Sequence, residues 1–194
     1  MAPRTKDVDG TRSGANGGLS HLDRRGRARM VDVTAKAVTR RECVARAEVR
    51  MASATAAMIS EGRLAKGDVL ATARIAGIQA AKRAHEWIPL AHPLPLDAIR
   101  VELWPDADEG CVRIETRVLA HARTGVEMEA LVAAAAAGLT LYDMCKAVDR
   151  GMTLERLRLV RKSGGKSGTW RRIGEGTGSR ARSPRRAEGT ESRR

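Results

Sequence analysis

Three clusters in this 194-residue chain carry side chains able to move protons or hold anions: Lys66-Gly67-Asp68, Pro89-Leu90-Ala91-His92-Pro93 and Tyr142-Asp143-Met144-Cys145-Lys146. Asp143 and Lys146 are spaced i,i+3, so on a helix they share a face. A carboxylate beside an ammonium shifts both pKa values, as an acid–base site requires, but the same spacing describes an ordinary surface ion pair of small energetic value. Lys66 is either an anion ligand or a solvated loop cation. His92 lies between two prolines whose fixed φ angles stiffen its backbone, which suits a positioned ligand group and equally a rigid turn. Glu127 and Glu129 open a candidate helix, where the macrodipole favours acidic residues whatever their function. Glu127 fits a capping role, and Glu129 has no such explanation.

A fourth segment, Ser163-Gly164-Gly165-Lys166-Ser167-Gly168, invites comparison with phosphate-binding loops. The Walker pattern fails, since it needs glycine where Val160 stands and a helix where Gly168 and Trp170 follow. A glycine-rich loop with Lys162 and Lys166 can still offer backbone N–H groups and cations to a phosphate, or serve as a flexible exit.

The elements that must position these residues are legible from periodicity. Residues 43–51 alternate, with Ala45, Ala47, Val49 and Met51 on one face and Arg46, Glu48 and Arg50 on the other, giving a half-buried strand. A short helical stretch (ATAAMI) follows. Residues 68–88 then carry Leu70, Ala73, Gly77, Ala80, Ala84 and Ile88 at helical spacing, opened by an Asp68 cap and ended by Pro89. Residues 98–104 and 112–119 alternate around turn chemistry and form a hairpin. A long helix begins at the capping box Thr124-Gly125-Val126-Glu127 and runs to about Val148. Residues 154–161 give a last strand with Leu157 and Leu159 inward. The order β-α-β-β-α-β predicts an α+β ferredoxin-like sandwich, a four-stranded antiparallel sheet with two long helices.

Composition narrows the classes. The net charge is +13, with 36 Lys+Arg against 23 Asp+Glu. Residues 1–18 hold +1 and residues 171–194 hold +5, leaving +7 for residues 19–170. The polar, glycine-rich 1–18 arm and the Arg-rich 173–194 tail read as disordered, flanking a 19–172 domain. Cys43, Cys111 and Cys145 lack metal or disulfide spacing and read as buried thiols in a reducing compartment. No run reaches ~18 apolar residues, and no secretory signal is evident, so the default address is cytoplasmic, away from membranes. The basic balance calls for an anionic partner. Single-stranded nucleic acid needs stacking platforms, and Trp87, Trp104, Tyr142 and Trp170 are scattered, which argues against a specific nucleic-acid binder.

The strings S-H-L-D (20–23), M-V-D-V (30–33), K-G-D-V-L (66–70), A-R-I-A-G-I-Q-A-A-K (73–82), I-P-L-A-H-P-L (88–94), T-G-V-E-M-E-A-L (124–131), L-Y-D-M-C-K-A-V (141–148) and K-S-G-G-K-S-G (162–168) together resemble the cyclic pyranopterin monophosphate synthase family. The resemblance spans about residues 19–170. It implies a molybdenum-cofactor enzyme that turns a cyclised dihydro-GTP into cyclic pyranopterin monophosphate and releases pyrophosphate. It further implies a ferredoxin-like fold, a hexamer built as a trimer of dimers, and no metal or organic cofactor. By matched position, Asp143 and Lys146 would be the catalytic pair and Lys66 a further catalytic or triphosphate-binding lysine. Leu90, Ala91, His92, Met128 and Glu129 would line the substrate site, with Lys82 and Lys166 nearby. Two positions depart from the family's usual pattern: Ala91 stands for Cys and Ala84 for Thr. A backbone contact at position 91 survives such a change.

Helix geometry adds a further expectation. Glu129 and Asp143 are 14 residues apart on one predicted helix, roughly 21 Å at 1.5 Å per residue. One compact site cannot span that distance, so two subunits are expected to share each site.

Overall fold

Alternation along the first strand sets the plan of the fold: Cys43, Ala45, Ala47 and Val49 turn into the core, while Arg46 and Glu48 face away from it. The computed structural model describes residues 25–175. Contacts divide the chain after Val31, and every element below belongs to the second unit, Asp32–Arg194. The 1–18 arm, the 20–23 motif and the tail from 176 lie outside the described residues.

In chain order the elements are β1 (Thr39–Arg50), α1 (Ser53–Ser60), α2 (Val69–Lys82), α3 (Ala84–Trp87), β2 (Ala98–Asp106), β3 (Cys111–Ala122), α4 (Glu127–Cys145), β4 (Thr153–Ser163) and β5 (Trp170–Arg171). The antiparallel sheet runs β2-β3-β1-β4-β5. Its first four strands and two long helices are the expected ferredoxin-like arrangement. The sheet has five strands rather than four, because the chain turns at Gly164-Gly165 and lays Trp170–Arg171 beside β4. Two residues carry no readable period, so sequence pattern alone could not show this edge.

One face of the sheet is covered by helices. Val69 and Ala73 of α2 share a cluster with Leu141 and Cys145 near the end of α4, whereas Ala80 meets Val132 and Ala136 of its first half. The helices therefore run antiparallel and close together. A Cβ at Gly77 would lie 2.9 Å from the Ala133 carbonyl oxygen, so glycine is what permits the approach. By length and composition alone α4 could cross a bilayer, although Glu127, Glu129 and Asp143 leave it without an unbroken run of ~18 apolar residues. Its alanines instead fill a protein core: ten of its residues are buried against the sheet and α2.

The opposite face of the sheet is ionic. Arg46 pairs with Glu115 and with Glu175, both at 2.8 Å, and Arg158 also binds Glu175. Glu42 gathers Arg40, Arg117 and Arg161.

Three local expectations need correction. The 68–88 helix is broken at Arg83 (φ −115°), leaving α2 and the single turn α3. Leu157 is exposed, because β4 shifts register against β1 twice and Arg156 adopts φ +51° in one of these bulges, re-aiming the side chains around it. The capping box does not form: Val126 is the N-cap of α4 with no side-chain cap bond, and Glu127 turns away to Lys162. The Asp68 cap does form, its carboxylate accepting from the Ala71 N–H at 2.8 Å.

Candidate functional site

The end of α4 assembles three of the expected residues. Asp143 and Lys146 sit one turn apart, and Lys146 Nζ reaches Asp143 Oδ1 at 2.7 Å. Lys66 arrives from the turn between α1 and α2, where Gly67 (φ +92°) reverses the chain before the Asp68 cap. Its Nζ donates to the Asp143 backbone carbonyl at 2.7 Å and lies 3.7 Å from Oδ2. Carbonyls at a helix C-terminus carry partial negative charge without intrahelical partners, so two ammonium groups are well placed there. The hydrogen bond from Lys146, followed by the charges of Lys146 and Lys66, holds the Asp143 carboxyl below its usual range. The same bond raises Lys146. Through neutral pH the pair is thus carboxylate and ammonium, a proton acceptor and a proton donor open to solvent.

A second group forms at the start of α4. Glu129 is only 4% exposed, and burial, opposed by its own backbone N–H and reinforced by Glu127, pushes its carboxyl up to about 7. Glu127 pairs with Lys162 at 3.0 Å. Gly125 makes room for it, since a Cβ there would lie 1.9 Å from the carboxylate. Cys43 on β1 is buried beside Glu127, Lys162 and Glu129, and burial pushes its thiol up to about 12, so it is an inert thiol at neutral pH.

The glycine-rich loop is a shaped turn against the start of β1. A Cβ at Gly164 (φ +99°) would sit 2.0 Å from the Arg40 carbonyl, and one at Gly165 (φ +72°) 1.7 Å from the Arg41 guanidinium. Arg41 in turn donates to the Ala122 and Arg123 carbonyls. Lys166 is exposed in this turn. Sequence alone reads Lys162 only as a cation of the glycine-rich loop and does not single out Arg41 at all. The signal for them is cross-strand register, which pairs Cys43 with Lys162 and Arg41 with Ala120.

The remaining expected residues fall toward the first half of α4. Ile88 packs with Val132 and Ala136, and Leu94 and Leu96 with Val126 and Ala130. The intervening Leu90, Ala91 and His92 are half-buried, as is Met128. The Ala91 N–H donates to the Ile88 carbonyl at 3.0 Å, a backbone contact indifferent to the side chain. Ala84 is buried among Ala80, Val132 and Ala136. Lys82 ends α2, exposed. Within one chain, therefore, Asp143, Lys146 and Lys66 stand at one end of α4 and Glu129 with its neighbours at the other, roughly 21 Å away. Among the described residues no three His, Cys, Asp or Glu side chains form a metal-holding group.

Known proteins are similar to this chain over most of its length. The profile of the MoaC family matches residues 30–165. A cyclic pyranopterin monophosphate synthase from Thermomicrobium roseum is 58% identical over 154 residues, covering 79% of this chain and 93% of that protein. Another, from Pelotomaculum thermopropionicum, is 56% identical over 158 residues, covering 81% and 93%.

Proposed function

Because this chain belongs to the MoaC family of enzymes, lyases of molybdenum cofactor biosynthesis, we propose that it converts 3',8-cyclo-7,8-dihydro-GTP to cyclic pyranopterin monophosphate with release of pyrophosphate. The observation that carries this reading is the Lys66–Asp143–Lys146 constellation, in which one carboxylate is held ionised between two ammonium groups. Asp143 accepts a proton during the ring rearrangement and Lys146 returns one. Lys66 stabilises charge on the triphosphate and on the departing pyrophosphate. Leu90, Ala91, His92, Met128 and Glu129 bind the substrate, and Lys82 and Lys166 add positive charge toward its phosphates. Glu129, titrating near neutrality, offers a hydrogen-bond donor where an ordinary glutamate would offer only an acceptor. The enzyme works in the cytoplasm without a cofactor.

Since α4 separates Asp143 from Glu129, each site is built from two subunits of a hexamer, a trimer of dimers. Asp143 and Lys146 come from one subunit, Met128 and Glu129 from its neighbour.

Incubation with the cyclised dihydro-GTP, scoring pyrophosphate and pterin, tests the reading directly. Wild type turns over, and Asp143→Asn loses about 10²-fold or more. Equal turnover by the variant refutes the role of Asp143, and an inert wild type refutes the reaction. Mixing Asp143→Ala with Glu129→Ala subunits restores activity at hybrid sites; no rescue despite verified subunit exchange refutes sharing.

A further inference from the structure

One carboxylate outside this site ties together the two segments that carry it. Helix α1 opens at Ala52, whose methyl side chain cannot cap, and no local side chain does so. The cap comes from Asp149, 97 residues later: Oδ2 accepts from the Ala52 N–H at 2.8 Å and from the Thr55 hydroxyl at 3.2 Å. Oδ1 accepts from the Gly151 N–H at 3.0 Å. Asp149 stands in the turn directly after α4, its own N–H donating to the Cys145 carbonyl at 3.0 Å. The carboxylate thus belongs at once to the start of α1 and to the exit of α4. These donors, Ala52 first, hold its carboxyl below the usual range.

The far end of α1 leads to Lys66. Thr55, Ala56 and Ile59 bury the helix, Leu64 seats the turn that follows, and Lys66 comes two residues later. The stretch from Ala52 to Lys66 is therefore fastened to the end of α4 at two points, by Asp149 at its start and by Lys66 on Asp143 at its finish. Cys145 lies between the fasteners, its buried thiol within the electrostatic reach of both Asp149 and Lys66. Lys66 is a long, exposed side chain with several free rotors, so the backbone beneath it decides whether its ammonium stays over Asp143.

We propose that Asp149 is a positioning residue for the Lys66–Asp143 contact, a tertiary N-cap that sets the placement of α1 without touching the reacting groups. The proposal rests on the assignment of Lys66 and Asp143 to the site and adds a residue that assignment does not contain. It predicts coupling. In the full-length oligomer, Asp149→Ala lowers kcat/KM for the cyclised dihydro-GTP about 10-fold when Lys66 is present and less than about 2-fold in a Lys66→Ala background. Asp149→Asn recovers most of the loss, because its amide oxygen still accepts from Ala52 and Thr55. Equal losses in both backgrounds overturn the proposal. Should Asp149→Ala fail to fold, Thr55→Val removes a single bond of the clasp and shows the same Lys66 dependence at smaller size. Amide hydrogen exchange gives a second readout that needs no turnover. Exchange at residues 61–68 quickens in Asp149→Ala, or in Thr55→Val where Asp149→Ala does not fold, while residues 130–138 keep their protection, and unchanged exchange at 61–68 overturns the proposal. An inert wild type would sink the reaction assignment, with the exchange result still deciding the positioning.

Discussion

Replacing Glu129 with Gln isolates one buried titration. In the folded chain desolvation raises the Glu129 carboxyl from 4.5 to about 7, overcoming its own backbone N–H and the favourable first turn of α4. A carboxyl with a raised folded pKa binds its proton more tightly in the native than in the unfolded state. Its contribution is fully present below pH ~4.5 and is lost as pH rises through about 7. At 1.36 kcal/mol per unit, the upward shift sets a ceiling of about 3 kcal/mol on that loss. Glutamine keeps the shape and cannot ionise, so Glu129→Gln removes this component. Urea unfolding of both proteins at fixed subunit concentration, at intervals from pH 4.5 to 8.5, gives two stability curves. Their difference should move in favour of the variant by roughly 2–3 kcal/mol across pH 4.5–7.5 and then level off. Curves parallel within about 0.5 kcal/mol would refute the reasoning, because Glu129 would then titrate alike in both states.

The remaining predictions concern the frame around the site. Gly77→Ala should cost about 1–3 kcal/mol by urea denaturation, because its Cβ would meet the Ala133 carbonyl at 2.9 Å and Val101 at 3.1 Å; an unchanged midpoint would show that α2 can move off α4 freely. Gly164→Ala should destabilise by about 2 kcal/mol or more, since it combines a left-handed φ with a clash on the Arg40 backbone, and neutrality would mean the turn rebuilds itself. Thr116→Val should cost about 1 kcal/mol: the fully buried hydroxyl donates to the Ala130 carbonyl at 2.7 Å, tying β3 to the first half of α4. A rise in thermal midpoint for that variant would show that the bond is worth less than the burial it imposes.

Much of the architecture was legible because period and packing agree. In β1 and in the β2–β3 hairpin the residue spacing matches the faces they bury, and Asp68 caps α2 by a bond spanning three residues. Where a distant partner competes, local pattern misleads. Glu127 satisfies a capping-box rule but gives its carboxylate to Lys162, 35 residues away, where an ion pair outweighs a backbone donor. Leu157 satisfies an alternation rule that a bulge in β4 cancels.

By itself the sequence determined the fold class, the family resemblance and the Asp143/Lys146 pair, since each depends on residue types at close spacing or on strings in order. Tertiary structure alone decided that Lys66 reaches Asp143 across 77 residues, that Glu129 is buried enough to titrate near neutrality, and that Asp149 caps a helix 97 residues before it. The physical reason is common to all three. Burial and long-range hydrogen bonds depend on which elements meet, and that is fixed by the packing of α1, α2 and α4 against the sheet, which no local spacing encodes.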